Sequence, residues 1–365
     1  MEKIKKILVC PLEWGLGHAT RCVPIISKLL EYNIEVLVAA DNQPLALLKR
    51  QFPQLQFIKF SGFNIKYPNK GNMLLKMLVS LLSIIKGIHK EHQQLKKIIE
   101  EYQIDAVISD NRFGLWNKNI RTIYMTHQIM IKVPGLFSVL EPVLYLVHKY
   151  FISKYDTCWI PDFPGSNNLS GDLAHKYKLP KNAVFLGPLT RLDNYPASGT
   201  PDKDTETPEI MAVISGPEPQ RSLFENIILD QLKTSDYSAV VVLGIAKKNV
   251  HYTINNKINV YSHLDTKAFL NYLISARIVI CRSGYSSIMD LISLGKKAIL
   301  VPTPGQTEQE YLASYYQRKK IFYTEKQSKF NLYEAMKQSK SIHEITIQPQ
   351  PQLLDEAIKK LIGEN

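Results

Sequence analysis

Short runs rich in valine and isoleucine recur along the chain, each followed by a loop and a helical stretch. The first half holds Ile7–Cys10, Glu35–Ala40, Leu55–Phe60, Asp105–Ser109 and Arg121–Met125. The second half holds Ile210–Ser215, Ala239–Leu243, Asn259–Tyr261, Ile278–Cys281 and Ala298–Val301. These runs are continuous rather than alternating, so both faces of each strand must be buried, and such strands separated by helices build parallel sheets covered on both sides. The pattern breaks at Asp193–Glu209, DNYPASGTPDKDTETPE, between a strand at Ala183–Leu186 and the one at Ile210–Ser215. Its density in Pro, Gly, Ser, Thr and Asp suits a linker and not a packed element.

The expected fold class is therefore α/β, with two Rossmann-like domains facing each other across a cleft. The expected boundaries are residues 1–192, a linker at 193–209, a second domain at 210–346 and a tail at 347–365 with a short amphipathic helix, Leu353–Leu361. At 365 residues and 45% hydrophobic content, two cores can be filled. The net charge of +12 is uneven: residues 1–195 hold 25 Lys and Arg against 15 Asp and Glu, a net of +10. That field favours anionic partners such as membrane lipid, a phosphorylated acceptor or nucleic acid. The start, Met1-Glu2-Lys3-Ile4-Lys5-Lys6, is not expected to be a secretory signal. Cys10, Cys22, Cys158 and Cys281 form no CxxC pair and are expected to be buried or incidental thiols in a reducing compartment. Residues 72–101 are an expected long helix, but Lys76 and Lys86 interrupt its apolar part, so it is not expected to span a bilayer. A second apolar helix with basic flanks is expected at Phe137–Phe151. Both helices suit either a core or a Lys-flanked face on a membrane surface.

Four segments carry chemistry. Trp14–Arg21, WGLGHATR, follows the first strand and opens a helix. Gly15 and Gly17 allow a sharp turn and close approach to a ligand, and the helix start adds amide donors. The segment is not GxGxxG, so a nicotinamide cofactor is not expected. His18 stands at the carboxyl edge of the sheet, where an imidazole can accept a proton from an attacking hydroxyl, or simply cap the helix. Asp110 ends the strand Asp105–Ser109 and can orient the ring of His18, or act as an N-cap or pair with Arg112. Thr126-His127-Gln128 ends the next strand at the same edge.

The third segment is CRSGYSSIMDLISLGKKAILVPTPGQTEQEYLA. Ser283 and Gly284 open a helix whose amides can hold a diphosphate. Asp290, six residues on, can accept both hydroxyls of a ribose. Gln306, Glu308, Gln309 and Glu310 open a further helix and can read sugar hydroxyls. The fourth segment, Ser215–Arg221, offers Arg221 or its amides to a phosphate, or is a rigid turn. No zinc, EF-hand or P-loop pattern is present, and no metal is expected. The charge of a leaving diphosphate then falls to helix dipoles and backbone donors.

Residues 259–312 resemble the C-terminal domain of glycosyltransferase family 28, with Cys281-Arg282-Ser283-Gly284, Asp290, Gly295, Val301-Pro302 and Gln309 at matching positions. The likeness is strongest to the branch that adds N-acetylglucosamine to a lipid-linked cell-wall precursor. In that family a Glu at the position of Asp290 binds the ribose of UDP. The Gln at Gln309 contacts the donor sugar, and the loop around Leu264 would border the uracil. WGLGHATR is similar to the family's glycine-rich loop, with His18 in the place of its His. Thr126-His127-Gln128 with Val133-Pro134-Gly135 resembles its acceptor-side segment. GPEPQR departs from the glycine-serine-rich form, and the first loop has fewer glycines.

The resemblance implies a GT-B fold and metal-independent, inverting transfer of N-acetylglucosamine or another hexose from a UDP-sugar, with no cofactor beyond that substrate. It also implies a polar or lipid-linked acceptor. The cell-envelope enzyme would then be cytoplasmic, with a peripheral place on the inner face of the membrane open to it. Two alternatives stay open: a UDP-sugar epimerase on the same fold, and a non-catalytic basic binding protein. Nucleic acid is not an expected partner, because the second half is nearly neutral and lacks interleaved Arg and aromatic stripes.

Overall fold

Strands buried on both faces must be flanked by helices, and two sheets satisfy that demand. The computed structural model describes residues 4–13, 16–62, 73–133, 135–191, 207–245, 249–342 and 350–364, without the side chains of 73–82 and Leu136. The first sheet comprises β1 (Lys6–Cys10), β2 (Glu35–Ala40), β3 (Gln56–Lys59), β4 (Ala106–Asp110), β5 (Arg121–Met125), β6 (Thr157–Ile160) and β7 (Ala183–Phe185). All run parallel, in the order β3-β2-β1-β4-β5-β6-β7. The second comprises β8 (Ile210–Val213), β9 (Ala239–Val242), β10 (His251–Ile254), β11 (Ile258–Tyr261), β12 (Ile278–Cys281), β13 (Ala298–Leu300) and β14 (Tyr323–Thr324). Its order is β10-β11-β9-β8-β12-β13-β14, and β10 alone among its described strands is antiparallel. The linker expected at 193–209 falls outside the described residues except for its last three.

The helices of the first lobe are α1 (Leu16–Glu31), α2 (Asn42–Gln51), α3 (Met73–Tyr102), α4 (Glu141–Ile152) and the short α5 (Asp172–His175). Those of the second are α6 (Gln220–Lys233), α7 (Thr266–Ser275), α8 (Tyr285–Ser293), α9 (Thr307–Arg318) and α10 (Leu332–Gln338). The two-residue period of a strand sorts β1 between two layers: Ile7 and Val9 pack with α1 and α2, while Leu8 and Cys10 pack with α3. The α1 layer continues without a break into the α7 and α8 layer of the second lobe, forming one apolar cluster. The last helix, α11 (Pro351–Ile362), returns to the first lobe, where Asp355 accepts a hydrogen bond from Tyr32 Oη at 2.6 Å and pairs with Lys28 at 3.1 Å. All four cysteines are buried as free thiols.

In each sheet the strand order reverses beside the first strand, between β1 and β4 and between β8 and β12. Loops on either side of such a reversal diverge and leave a crevice at the carboxyl edge, which is where open α/β sheets take ligands.

Candidate active site

Two neighbouring strand ends bring the first pair of side chains together. His18 lies in the first turn of α1, just beyond β1, while Asp110 is the last residue of β4; Trp14 and Gly15 lie outside the described residues. His18 Nδ1 stands 3.0 Å from Asp110 Oδ2. Arg21, one turn further along α1, grips the same carboxylate: its Nε donates to Oδ2 at 2.9 Å and its Nη2 to Oδ1. Asp110 is 0% exposed and Arg21 1%.

Burial pushes the Asp110 carboxyl up, but Arg21 and His18 outweigh it and hold the group below the usual carboxylate range. Burial lowers His18 below its ordinary value; Asp110 opposes that shift and Arg21 adds to it. The ring is therefore neutral near pH 7. Nδ1 also lies 2.8 Å from Arg21 Nη2, yet it can serve only one of the two neighbours. Donation from Nδ1–H to Asp110 Oδ2 would leave Nε2 with its lone pair.

The second lobe meets this cluster along α8 and α9. Glu308, in the first turn of α9, accepts from His127 Nε2 at 2.8 Å and from Gln128 Nε2. Burial opposes ionisation of Glu308, but its hydrogen bond from His127, with His18 and the Arg21 guanidinium nearby, outweighs it and holds the carboxyl below the usual range. The His127 ring lies flat on Tyr285, with centroids 4.2 Å apart. Ser286 Oγ donates to the Gly17 carbonyl at 2.9 Å, and Tyr285 Oη to the Pro161 carbonyl at 2.8 Å. Further along the same face of α8, Leu189 N–H donates to Met289 Sδ at 3.3 Å, and Thr190 Oγ1 to Asp290 Oδ1 at 2.6 Å. The lobes are thus closed on one another, and His127, Gln128, Asp290 and Glu308 stand at their junction.

The remaining donor-side residues occupy particular places. Asp290 lies where the chain leaves the first lobe, and burial raises its carboxyl despite the opposing effects of Arg191 and Thr190. Ser283 is fully buried and donates to the Gln309 carbonyl at 2.8 Å. Gln309 is held at both ends of its amide: Oε1 accepts from Thr303 N–H at 2.9 Å, and Nε2 donates to Gln306 Oε1 at 2.6 Å. In this closed form the side chains of Ser283 and Gln309 hold the starts of α8 and α9 together and do not point into open space. Gly284 caps α8, and a Cβ placed there would meet nothing within 4 Å, so the helix start has an open side. Leu264 is buried in the core at the carboxyl edge of β11.

Arg221 pairs with Glu218 and Glu225, both at 2.6 Å, so in this form its charge is balanced within its own turn. The cation at this edge is Arg282, whose nitrogens reach the carbonyls of Ser215, Gln220, Val301 and Pro302 and the side chain of Gln327. It joins the loops after β8, β12 and β13 with no carboxylate partner among the described residues. Burial lowers its pKa to about 10, so it stays charged. The sequence reading missed the roles of Arg21, Tyr285, Thr190 and Arg282. One signal was available: Arg21 is three residues after His18, on the same face of a helix.

Two family models match the chain, the glycosyltransferase family 28 C-terminal domain over residues 219–346 and glycosyl transferase family 1 over residues 5–131. An uncharacterized glycosyltransferase of Methanosarcina acetivorans is 22% identical, with 84% of this chain and 81% of that protein covered. A UDP-N-acetylglucosamine–N-acetylmuramyl-(pentapeptide) pyrophosphoryl-undecaprenol N-acetylglucosamine transferase of Sulfurihydrogenibium sp. is 27% identical, with 82% and 78% covered. Among solved structures, the glycosyltransferase SnogD from Streptomyces nogalater superposes with a TM-score of 0.61 at 11% identity, covering 99% of this chain and 100% of that one.

Proposed function

Since the chain is a glycosyltransferase of the family 28 type on a GT-B fold, we propose that it moves a hexose from a UDP-sugar to an acceptor hydroxyl by a metal-independent, inverting displacement. The observation that carries the reading is the half-buried His18 against the buried Asp110 at the switch point of one lobe, facing the starts of α8 and α9 of the other. The acceptor oxygen attacks the anomeric carbon as its proton passes to His18 Nε2. The bond to the diphosphate breaks with its electron pair, and Asp110 steadies the imidazolium that forms. The leaving charge settles on the amides at the α8 start, with Arg282 as a fixed cation beneath them. Asp290 takes the ribose, and Glu308 with Gln309 takes the sugar hydroxyls, once the donor replaces their present partners. Opening of the lobes precedes donor binding and closure excludes water.

The acceptor side is read as lipid-linked, with the protein docked on an anionic bilayer. The support is an exposed apolar face running through the 3-10 turn Gly135–Leu140 and α4, where Val139 is 76% exposed and Leu146 61%, joined by Val143, Val147 and Tyr150. Lys149 and Lys154 lie beside it, a pairing of apolar and basic groups that suits an interfacial helix. Among the described residues no helix is long and apolar enough to cross a membrane.

The test is to incubate the protein with UDP-sugars, with and without lipid-linked acceptors, and to follow UDP release and product. Transfer that His18→Ala abolishes, and donor binding that Asp290→Ala weakens, are expected. Wild-type turnover and donor affinity in both variants would overturn the scheme. Conversion of UDP-N-acetylglucosamine with no acceptor present would make the protein an epimerase instead.

A further inference from the structure

We propose that Arg21 is a positioning residue of the catalytic pair: a single guanidinium that holds Asp110 with two nitrogens and His127 with the third while lying against His18 Nδ1, and so keeps the carboxylate in place and sets the pH range over which His18 can act as a base. The inference rests on His18 being the base. Arginine has donors and no acceptor. The 2.8 Å contact from Arg21 Nη1 therefore makes His127 Nδ1 an acceptor and leaves the hydrogen of that ring on Nε2. That hydrogen points at Glu308 Oε1, 2.8 Å away across the lobe junction. On the other side, Arg21 donates from Nε and Nη2 to Asp110, which keeps the carboxylate ionised beside His18, and Nη2 also stands 2.8 Å from His18 Nδ1, so the guanidinium lies against the base itself.

The groups facing His18 come from four elements: Asp110 from β4, Arg21 from α1, His127 from the loop after β5, and Glu308 from α9. Arg21 and His127 disfavour the imidazolium, while Asp110 favours it. Removing the Arg21 cation therefore raises the His18 pKa, so the base is protonated and lost over a higher pH range. A wholly structural Arg21 would lower turnover at every pH and leave that limb in place.

The experiment measures kcat/KM against pH for the wild type, Arg21→Met, Arg21→Lys and His18→Ala. The acid limb of Arg21→Met is expected to move up by on the order of one pH unit, and Arg21→Lys, which keeps the charge, is expected to return it toward the wild type. An unmoved limb with equal losses in Met and Lys overturns the proposal. Wild-type turnover in His18→Ala would instead remove the base reading on which it rests. Should Arg21→Met not fold, Arg21→Gln takes its place, with the same upward move of the acid limb expected and an unmoved limb overturning the proposal.

Discussion

Replacing Asp110 by asparagine is the sharpest probe of the first lobe. Asn has nearly the same shape but no charge, and it turns one acceptor into a donor. Three N–H groups converge on this carboxylate, from Arg21 Nε, Arg21 Nη2 and His18 Nδ1. In the variant Arg21 stays 1% exposed with no anion beside it. Breaking a buried pair by removing one partner costs about 3–5 kcal/mol, which in a lobe of this size lowers Tm by roughly 10 °C. The effect depends on pH in a defined direction. The folded pKa of Asp110 is depressed, so its stabilisation is present above the ordinary carboxylate range and is lost as pH falls through the lowered value. The gap between wild type and variant therefore narrows in acid. Turnover should fall by roughly a thousandfold or more, as when the carboxylate that orients a catalytic histidine is neutralised elsewhere. Urea unfolding followed by circular dichroism gives the stability, and transfer assays well below Tm give the rate. A stability loss under about 1 kcal/mol would refute the buried-pair argument, and turnover within about threefold of wild type would refute the role given to the pair.

Three further outcomes are expected. His148 is buried in the first lobe with its pKa pushed down to about 4. As pH drops from the ordinary 6.5 toward that value, the unfolded chain takes up the proton first and stability falls by about 3 kcal/mol; His148→Phe should flatten that fall in urea midpoints. Gly171 has a φ of +56° and its Cβ position is blocked by Tyr311 and Tyr315 of α9. Gly171→Ala should therefore cost roughly 2–4 kcal/mol, read as a lower Tm. Val143→Glu, Leu146→Glu and Tyr150→Glu together should cut sedimentation with phosphatidylglycerol vesicles by on the order of tenfold, while leaving unfolding midpoints within about 1 kcal/mol.

Much of the fold was legible because buried parallel strands leave continuous apolar runs. β2, β5 and β12 match the bounds read from those runs. β6, β10 and β14 left little trace: β10 is largely exposed and lacks an apolar signature, and β14 is two residues long. Helix α1 begins at Leu16, inside WGLGHATR, and its first turn is made of the site residues themselves and carries no apolar period. The juxtaposition of His18 and Asp110 followed from strand ends sharing an edge. The grip of Arg21 did not, because a mid-helix arginine reads as solvated until a buried carboxylate is placed beside it. The pairing of Arg221 was open to reading from its neighbours, because Glu218 and Glu225 lie three and four residues away at helical spacing.

The return of α11 to the first lobe has a mechanical consequence. The second lobe lies in sequence between two parts of the first, because α11 packs back on α1 through Tyr32 and Lys28. Motion of that lobe is therefore restrained from both of its chain ends. The contacts that must break for it to move are those of Thr190 with Asp290, of His127 with Tyr285 and of His127 with Glu308. The angular position of the second lobe then sets whether His18 has a reactant in front of it.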